Sequence, residues 1–383
     1  MTAYLDHAAT TPVRPEVRAA MAPHYDAAFG NPSGTHSVAR RAKTALEEAR
    51  EAIAAGLGCE PGEVVVTGGG TEADNLAVIG AARAAARAGR GRRIVVTAIE
   101  HKAVSAAAEA LQLDGFEVRV VRVGPDGIVD LDDLAAVLDP ETVVVSTMLV
   151  NNEVGTIQPL AEIAERVRAL APHAVLHTDA VQAVPWLDLA AAAMPADLVS
   201  VSAHKFGGPK GVGALVVRTG VELEPLAVGG GQERGLRSGT VDVAGAVGMA
   251  AALRVTTERR AAEAAGATAL RDRLAAGLAI VPGVLSTGDR ARVIGGNHHV
   301  RFAGVAAETL LVALDREGVC AAAGSSCASG ALEPSHVLAA MGLSRGDARQ
   351  AVRFSFGYAS TDADVDRALD VVPRAVARLR RPG

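Results

Sequence analysis

Short β-branched runs alternate with Ala-, Leu-, Glu- and Arg-rich stretches from Val64 to Arg218, and this alternation is what most limits the folds open to the chain. Strands are expected at residues 64–67, 94–97, 117–123, 142–147, 175–178, 198–202 and 213–217. Helical patterns at 72–87, 103–113, 131–138 and 161–170 fill most of the intervals. Such an order reads as an α/β domain around a seven-stranded, mostly parallel sheet, its last strand free to run antiparallel. A long charged helical pattern at 254–278 leads into a smaller α/β unit. That unit has a strand at 297–302, a helix at 307–317, a Gly/Ser loop and a strand at 351–355. The expected division is a large domain over 15–255 and a small one over 256–383, with residues 1–14 packed on the small one.

The polar residues fall in a pattern of their own. Gly68–Glu72, His101, Asn151, Asn152, Asp179, Gln182, Ser202, His204 and Lys205 all lie at or just beyond the carboxyl ends of expected strands. Open α/β sheets bind ligands at that edge. One polar segment there would be ordinary; five converging segments indicate a site.

Lys205 is one of only four lysines in the chain, arginine supplying nearly all other positive charge. A desolvated lysine can shed its proton and form a Schiff base, which arginine cannot do. Taken alone, the residue would read as a surface lysine in a Gly-rich turn. Thr67-Gly-Gly-Gly-Thr-Glu-Ala-Asp-Asn75 follows an expected strand and opens a helix. Its glycines let backbone N–H groups approach an anion, and the helix N-terminus adds partial positive charge. Gly70 and Thr71 would cradle a phosphate, to which Ser202 and His204 could also donate. The Gly-Lys-Ser/Thr ending of a P-loop is missing. Asp179 could pair with a protonated pyridine nitrogen, or simply cap a helix. Gln182 could reach a ring hydroxyl, or stand solvated on a helix. His101 could stack on a ring or cap the next helix. Lysine amine, phosphate cradle and ring-nitrogen carboxylate together are what pyridoxal phosphate requires.

Of the three cysteines, Cys327 lies among small residues in Ala323-Gly-Ser-Ser-Cys-Ala-Ser-Gly330, a setting that suits an accessible nucleophile. Cys320 reads as core packing and Cys59 as a turn residue without a role. An odd cysteine count in a large chain argues for a reducing, cytoplasmic setting. No Cys-x-x-Cys pair exists, and no metal is expected. His173 and His177 fall on a strand, where residues four apart stand about 13 Å from each other. Arg353 could fork onto an amino-acid carboxylate, or point to solvent from its strand. His298, His299 and Trp186 read as structural, and Arg378–Arg381 as a solvated helix end. The net charge of −5 gives no reason to expect nucleic acid or an anionic membrane. No apolar run is long enough to span a bilayer, and the first residues lack a signal-peptide pattern.

Together these segments resemble the NifS/IscS-type cysteine desulfurases of the class V aminotransferase family, pyridoxal phosphate enzymes of fold type I. The resemblance starts at Tyr4-Leu-Asp-His-Ala-Ala-Thr-Thr-Pro12 and Asn31-Pro-Ser-Gly-Thr-His36. It runs through Gly69-Gly-Thr-Glu-Ala-Asp-Asn75, Val150-Asn-Asn-Glu-Val-Gly155, His177-Thr-Asp-Ala-Val-Gln182 and Ser202-Ala-His-Lys205. It continues with Gly229-Gly-Gly-Gln-Glu-Arg-Gly-Leu-Arg-Ser-Gly-Thr240 and Ser326-Cys-Ala-Ser-Gly-Ala-Leu-Glu-Pro-Ser335, and ends at Arg353-Phe-Ser.

The resemblance implies removal of sulfur from L-cysteine, giving L-alanine and a persulfide on Cys327. It implies Lys205 as the lysine that carries the cofactor and moves the Cα proton. Asp179 would hold the ring nitrogen, Gln182 the ring oxygen, and His101 the ring face and a proton. Gly70, Thr71, Ser202 and His204 would contact the phosphate. Thr240 would reach the phosphate of a neighbouring subunit in a homodimer with shared sites. Asn152 and Arg353 would hold the substrate. The sulfur acceptor would be an iron–sulfur scaffold or a tRNA-thiolation enzyme. Gln232 stands where many members have His and Leu149 where some do, and only 26 residues follow Gly357, which puts scaffold docking through the tail in doubt. The other readings are a selenocysteine lyase or aminotransferase on the same fold, and a non-catalytic cofactor-binding subunit.

Overall fold

The computed structural model describes residues 2–323 and 335–380. The chain opens with β1 (Ala3–Tyr4) and then builds a seven-stranded sheet. Its strands are β2 (Val64–Thr67), β3 (Arg93–Thr97), β4 (Glu117–Val121), β5 (Thr142–Ser146), β6 (Val175–Asp179), β7 (Leu198–Ser202) and β8 (Gly213–Val217). Their spatial order is β2-β8-β7-β6-β5-β3-β4. All neighbours run parallel except β8, which is antiparallel to both β2 and β7.

Alternating side chains explain how the strands are covered. Val65, Ile94, Val96, Leu198 and Leu215 join the helices Gly70–Arg87 and Lys102–Leu113 on one face. Val64, Val66, Val95, Leu176 and Val199 join the helices Ser37–Leu57, Leu160–Leu170 and Val243–Ala279 on the other. Covered on both faces, β2, β5, β7 and β8 are buried at every residue, which is why they read as continuous apolar runs.

The second core forms around an antiparallel sheet of β9 (Val284–Ser286), β10 (Asn297–Phe302) and β12 (Ala351–Ser355), with β10 in the middle. A short parallel pair joins β1 to β11 (Val319–Cys320). The helices Ala307–Arg316 and Asp362–Leu379 pack over these strands. Cys320 is half-buried rather than enclosed, because its strand is two residues long. Trp186 packs against both cores, and His298 and His299 are buried in β10.

The 37-residue helix Val243–Ala279 links the two units, its first half in one core and Ala267, Leu274 and Leu278 in the other. It begins eleven residues before the charged pattern at 254. Val243–Leu253 carries no charge, so it has no polar face to betray a helix. Asp242 caps it by accepting from the Gly245 N–H at 2.9 Å. Leu253 is fully buried and lies 3.4 Å from where a Cβ on Gly56 would sit, so the two helices approach closely. Leu253→Ala leaves a cavity at this contact and is expected to lower unfolding stability by about 2–5 kcal/mol, read as an earlier midpoint in urea.

Candidate active site

The carboxyl ends of the central strands open on a pocket of about 350 Å³. Gly70, Thr71, His101, Asn152, Asp179, Gln182, Ser202, His204, Lys205 and Arg353 all line it. Among the described residues, the one sequence-predicted site residue it does not gather is Thr240. Thr240 is exposed, away from this chain's own pocket. Cys327 lies outside the described residues.

Lys205 ends a short 3-10 turn directly after β7. Its Nζ donates to the carbonyls of Ala8 and Ala9 at 2.6 and 2.9 Å. Gln182 is buried rather than solvated, and its Nε2 donates to the Ala8 carbonyl at 2.8 Å. One end of the pocket is thus walled by the N-terminal segment, nearly two hundred residues away in sequence.

Another wall is the start of the helix Gly70–Arg87, which no side chain caps. Its first N–H groups remain for an anion. A Cβ on Gly70 would stand 2.8 Å from Val181 Cγ2 and 3.4 Å from Ser202 Cβ, so only glycine leaves this cradle open. His204 accepts or donates to Thr10 Oγ1 at 3.1 Å. Burial, then the charges of Lys205 and Lys210, push its pKa down to about 4, so it is neutral.

Asp179 ends β6 and accepts from the Val181 N–H at 2.9 Å; no helix follows, so it is not an N-cap. Burial raises its pKa to about 6, with the negative charge of Asp74 adding to the shift. Asp74 Oδ1 is itself buried without a hydrogen-bond partner among the described residues. Donor atoms of Asp74, His101 and Asp179 lie within 4.8 Å of one another. A protonated ring nitrogen above Asp179 and a phosphate at Gly70 therefore fit the charges that this pocket leaves unbalanced.

His101 takes up the capping reading of its sequence and also lines the pocket. Its Nδ1 accepts from the Ala103 N–H at 3.1 Å and caps the helix Lys102–Leu113. That bond leaves the neutral ring's proton on Nε2. The solvent-facing reading of Arg353 is overturned, since the residue is 1% exposed. Its Nη1 donates to the Asn152 carbonyl at 2.6 Å and its Nη2 to Asp6 Oδ1 at 2.7 Å. Its Nε is buried without a partner among the described residues, leaving the fork capacity for a carboxylate.

Several contributors were not read from the sequence. Asp74 sits one turn beyond Gly70 on the same helix, a spacing that could have revealed it. Glu100 is fully enclosed; burial pushes its carboxyl up to about 8, so it carries a proton at neutral pH. It accepts from Thr97 Oγ1 and the Met148 N–H, joining the ends of β3 and β5 beside His101. The Ala8 and Ala9 carbonyls belong to the backbone and leave no side-chain signal.

The Aminotransferase class-V family model matches residues 3–368. The chain is 46% identical to the "IscS-like cysteine desulfurase" of Mycobacterium tuberculosis, over 99% of this chain and 97% of that one. It is 41% identical to "Cysteine desulfurase IscS" of Clostridium botulinum, over 98% and 95% respectively. A solved structure titled "NIFS-LIKE PROTEIN" superposes with a TM-score of 0.93 at 35% identity, covering 99% of this chain and 100% of that one. With its pocket at the carboxyl edge of a mostly parallel sheet and these relatives along its whole length, the chain belongs to the class-V aminotransferase family, among its NifS/IscS-type cysteine desulfurases.

Proposed function

We propose that the protein is a pyridoxal phosphate-dependent cysteine desulfurase in which Lys205 moves the substrate proton and Cys327 takes the sulfur. The observation that carries this reading is the convergence of Lys205, Asp179, the Gly70 cradle and Arg353 on one pocket. Bound pyridoxal phosphate supplies an electron sink for the bond changes at the substrate's α- and β-carbons. Gly70, Thr71, Ser202 and neutral His204 would hold its phosphate, Asp179 its ring nitrogen and Gln182 its ring oxygen.

The remaining chemistry falls to the chain's own side chains. The Arg353 fork and Asn152 hold the substrate carboxylate and fix the Cα–H bond toward Lys205. The Lys205 amine removes that proton and can return it. His101 Nε2 exchanges a proton with the substrate thiol. The Cys327 thiolate attacks the substrate sulfur: the S–S bond forms as the Cβ–S bond breaks. The carbon skeleton takes up a proton and leaves as L-alanine, with the persulfide held on Cys327.

The working unit in this proposal is a homodimer. Thr240 is exposed on its own chain, where it is available to a second subunit's phosphate. Phe29 and Val228 are 71% and 83% exposed, apolar surface that a subunit interface would cover. A cytoplasmic setting and a protein sulfur acceptor, such as an iron–sulfur scaffold or a tRNA-thiolation enzyme, complete the reading. No helix among the described residues is long and apolar enough to cross a membrane.

Incubation with L-cysteine and a reductant is expected to yield sulfide and alanine in equal amounts. Pyruvate and ammonia in place of alanine would replace the desulfurase by a lyase. Lys205→Ala should lose covalently held cofactor and turnover together. Cys327→Ala should bind cofactor yet release no sulfide, and normal sulfide output from it would sink the proposed role of that cysteine. The raised carboxyl of Asp179 adds a pH test on the cofactor-free protein. Protonated below about pH 6, Asp179 cannot neutralise a cationic ring, so cofactor affinity should fall as pH drops through that value. An Asp179→Asn variant, titrated by absorbance from pH 5 to 8, should lose this dependence; an unchanged profile would assign it to another group.

A further inference from the structure

We propose that Arg14 is a positioning residue for Lys205, acting through the backbone that follows the lysine. The proposal deepens the reading of Lys205 as the amine that moves the substrate proton. Arg14 is 2% exposed and does not line the pocket that gathers the site residues, but it borders an adjoining cavity with Lys205 and Gln182. Its guanidinium is committed on every side. Nη1 and Nη2 donate to Glu263 at 2.8 and 2.6 Å, Nε donates to the Phe206 carbonyl at 3.3 Å, and the plane lies 3.9 Å over the ring of Tyr358.

Phe206 directly follows Lys205, and the strapping extends along the next residue. The Arg14 N–H donates to the Gly207 carbonyl at 2.9 Å. Thr11 Oγ1 donates to the His204 carbonyl and accepts from the Gly207 N–H, both at 2.8 Å. Gly207 has φ +86°, and a Cβ there would stand 2.6 Å from Arg14 Cγ, so the two residues require each other's shape. Since the Ala8 and Ala9 carbonyls hold the lysine's Nζ, one N-terminal segment grips Lys205 at both ends.

The guanidinium also joins this grip to the rest of the molecule. Glu263 belongs to the helix Val243–Ala279 that links the two cores. Tyr358 lies just beyond β12, the strand that carries Arg353, and its hydroxyl donates to the Pro12 carbonyl at 2.8 Å. The amine that moves the proton and the fork that holds the carboxylate are therefore referenced to one side chain. Lysine could not replace it, because a compact ammonium lacks the planar fork, the stacking face and the third donor.

The test uses Arg14→Lys and Glu263→Gln, the second neutralising the partner without changing its shape. Each protein is stripped of cofactor, the rate of pyridoxal phosphate capture is followed by absorbance, and the reloaded protein is assayed for exchange of the alanine Cα proton in D2O. Both variants should exchange at least about tenfold more slowly, with half-saturation by alanine within about twofold, because misplacement by about an ångström acts on the proton step rather than on binding. Capture of the cofactor should slow in parallel. Folded variants that capture and exchange within about twofold of the unmodified protein would overturn the proposal. Exchange lost in the variants but present in the unmodified protein supports it whether or not L-cysteine yields sulfide, so a failure of the desulfurase reading is seen separately.

Discussion

A carboxyl group buried beside another carboxyl group sets the terms for the rest of this structure. Asp179 and Asp74 are 5% and 1% exposed, and among the described residues neither has an arginine or lysine partner. Burial, and then the negative charge of Asp74, disfavour ionisation of Asp179, which is why its carboxyl is shifted upward. An arrangement so unfavourable by itself becomes favourable once a cation is held above it. The surrounding residues are placed to hold such a group: an open helix start for its anionic end, and a lysine amine at another wall.

The sheet makes this possible by geometry alone. Parallel strands deliver all of their carboxyl ends to one edge, so residues from β2, β6 and β7 reach one pocket without long loops. The antiparallel β8 lies between β2 and β7, and both of its faces serve the core. What the sheet cannot supply comes from elsewhere. The N-terminal segment closes the pocket against Lys205, and β12 of the smaller sheet brings in Arg353, itself paired with Asp6 of that segment.

Legibility in the sequence followed the same division. β2, β7, β8, β10 and β12 were readable to the residue, because β-branched runs bounded by Gly, Asn or charged residues have few alternatives. Lys205, Asp179 and the Gly70 loop were readable because each sits where a strand stops. The start of the long helix was not, since Val243–Leu253 is mostly buried, carries no charge and lacks the two-faced pattern that marks a helix. The helix Ser37–Leu57 and the contacts of Ala8, Ala9 and Asp6 were also missed. Backbone carbonyls have no residue-type signature, and a pairing across some 350 positions, such as Asp6 with Arg353, is invisible without the fold. The structure gathers ten of the predicted site residues at one pocket, while the role of each is the one implied by resemblance.

The pairing of β1 with β11 has a consequence for the order in which the protein is made. Ala3 pairs in register with Val319, its N–H donating to the Gly318 carbonyl, and Asp6 accepts from Arg353, so the segment that walls the pocket is translated more than three hundred residues before these anchors. During synthesis its contacts with Gln182, His204, Lys205 and Gly207 can form as the seven-stranded sheet closes, while its pairings with β11 and Arg353 must wait for the smaller core. The carbonyl partners of Lys205 thus lie in a segment anchored on one side by the large core first, and on the other only once the smaller core has formed. The wall of the pocket is thereby the last of its parts to be fixed from both sides.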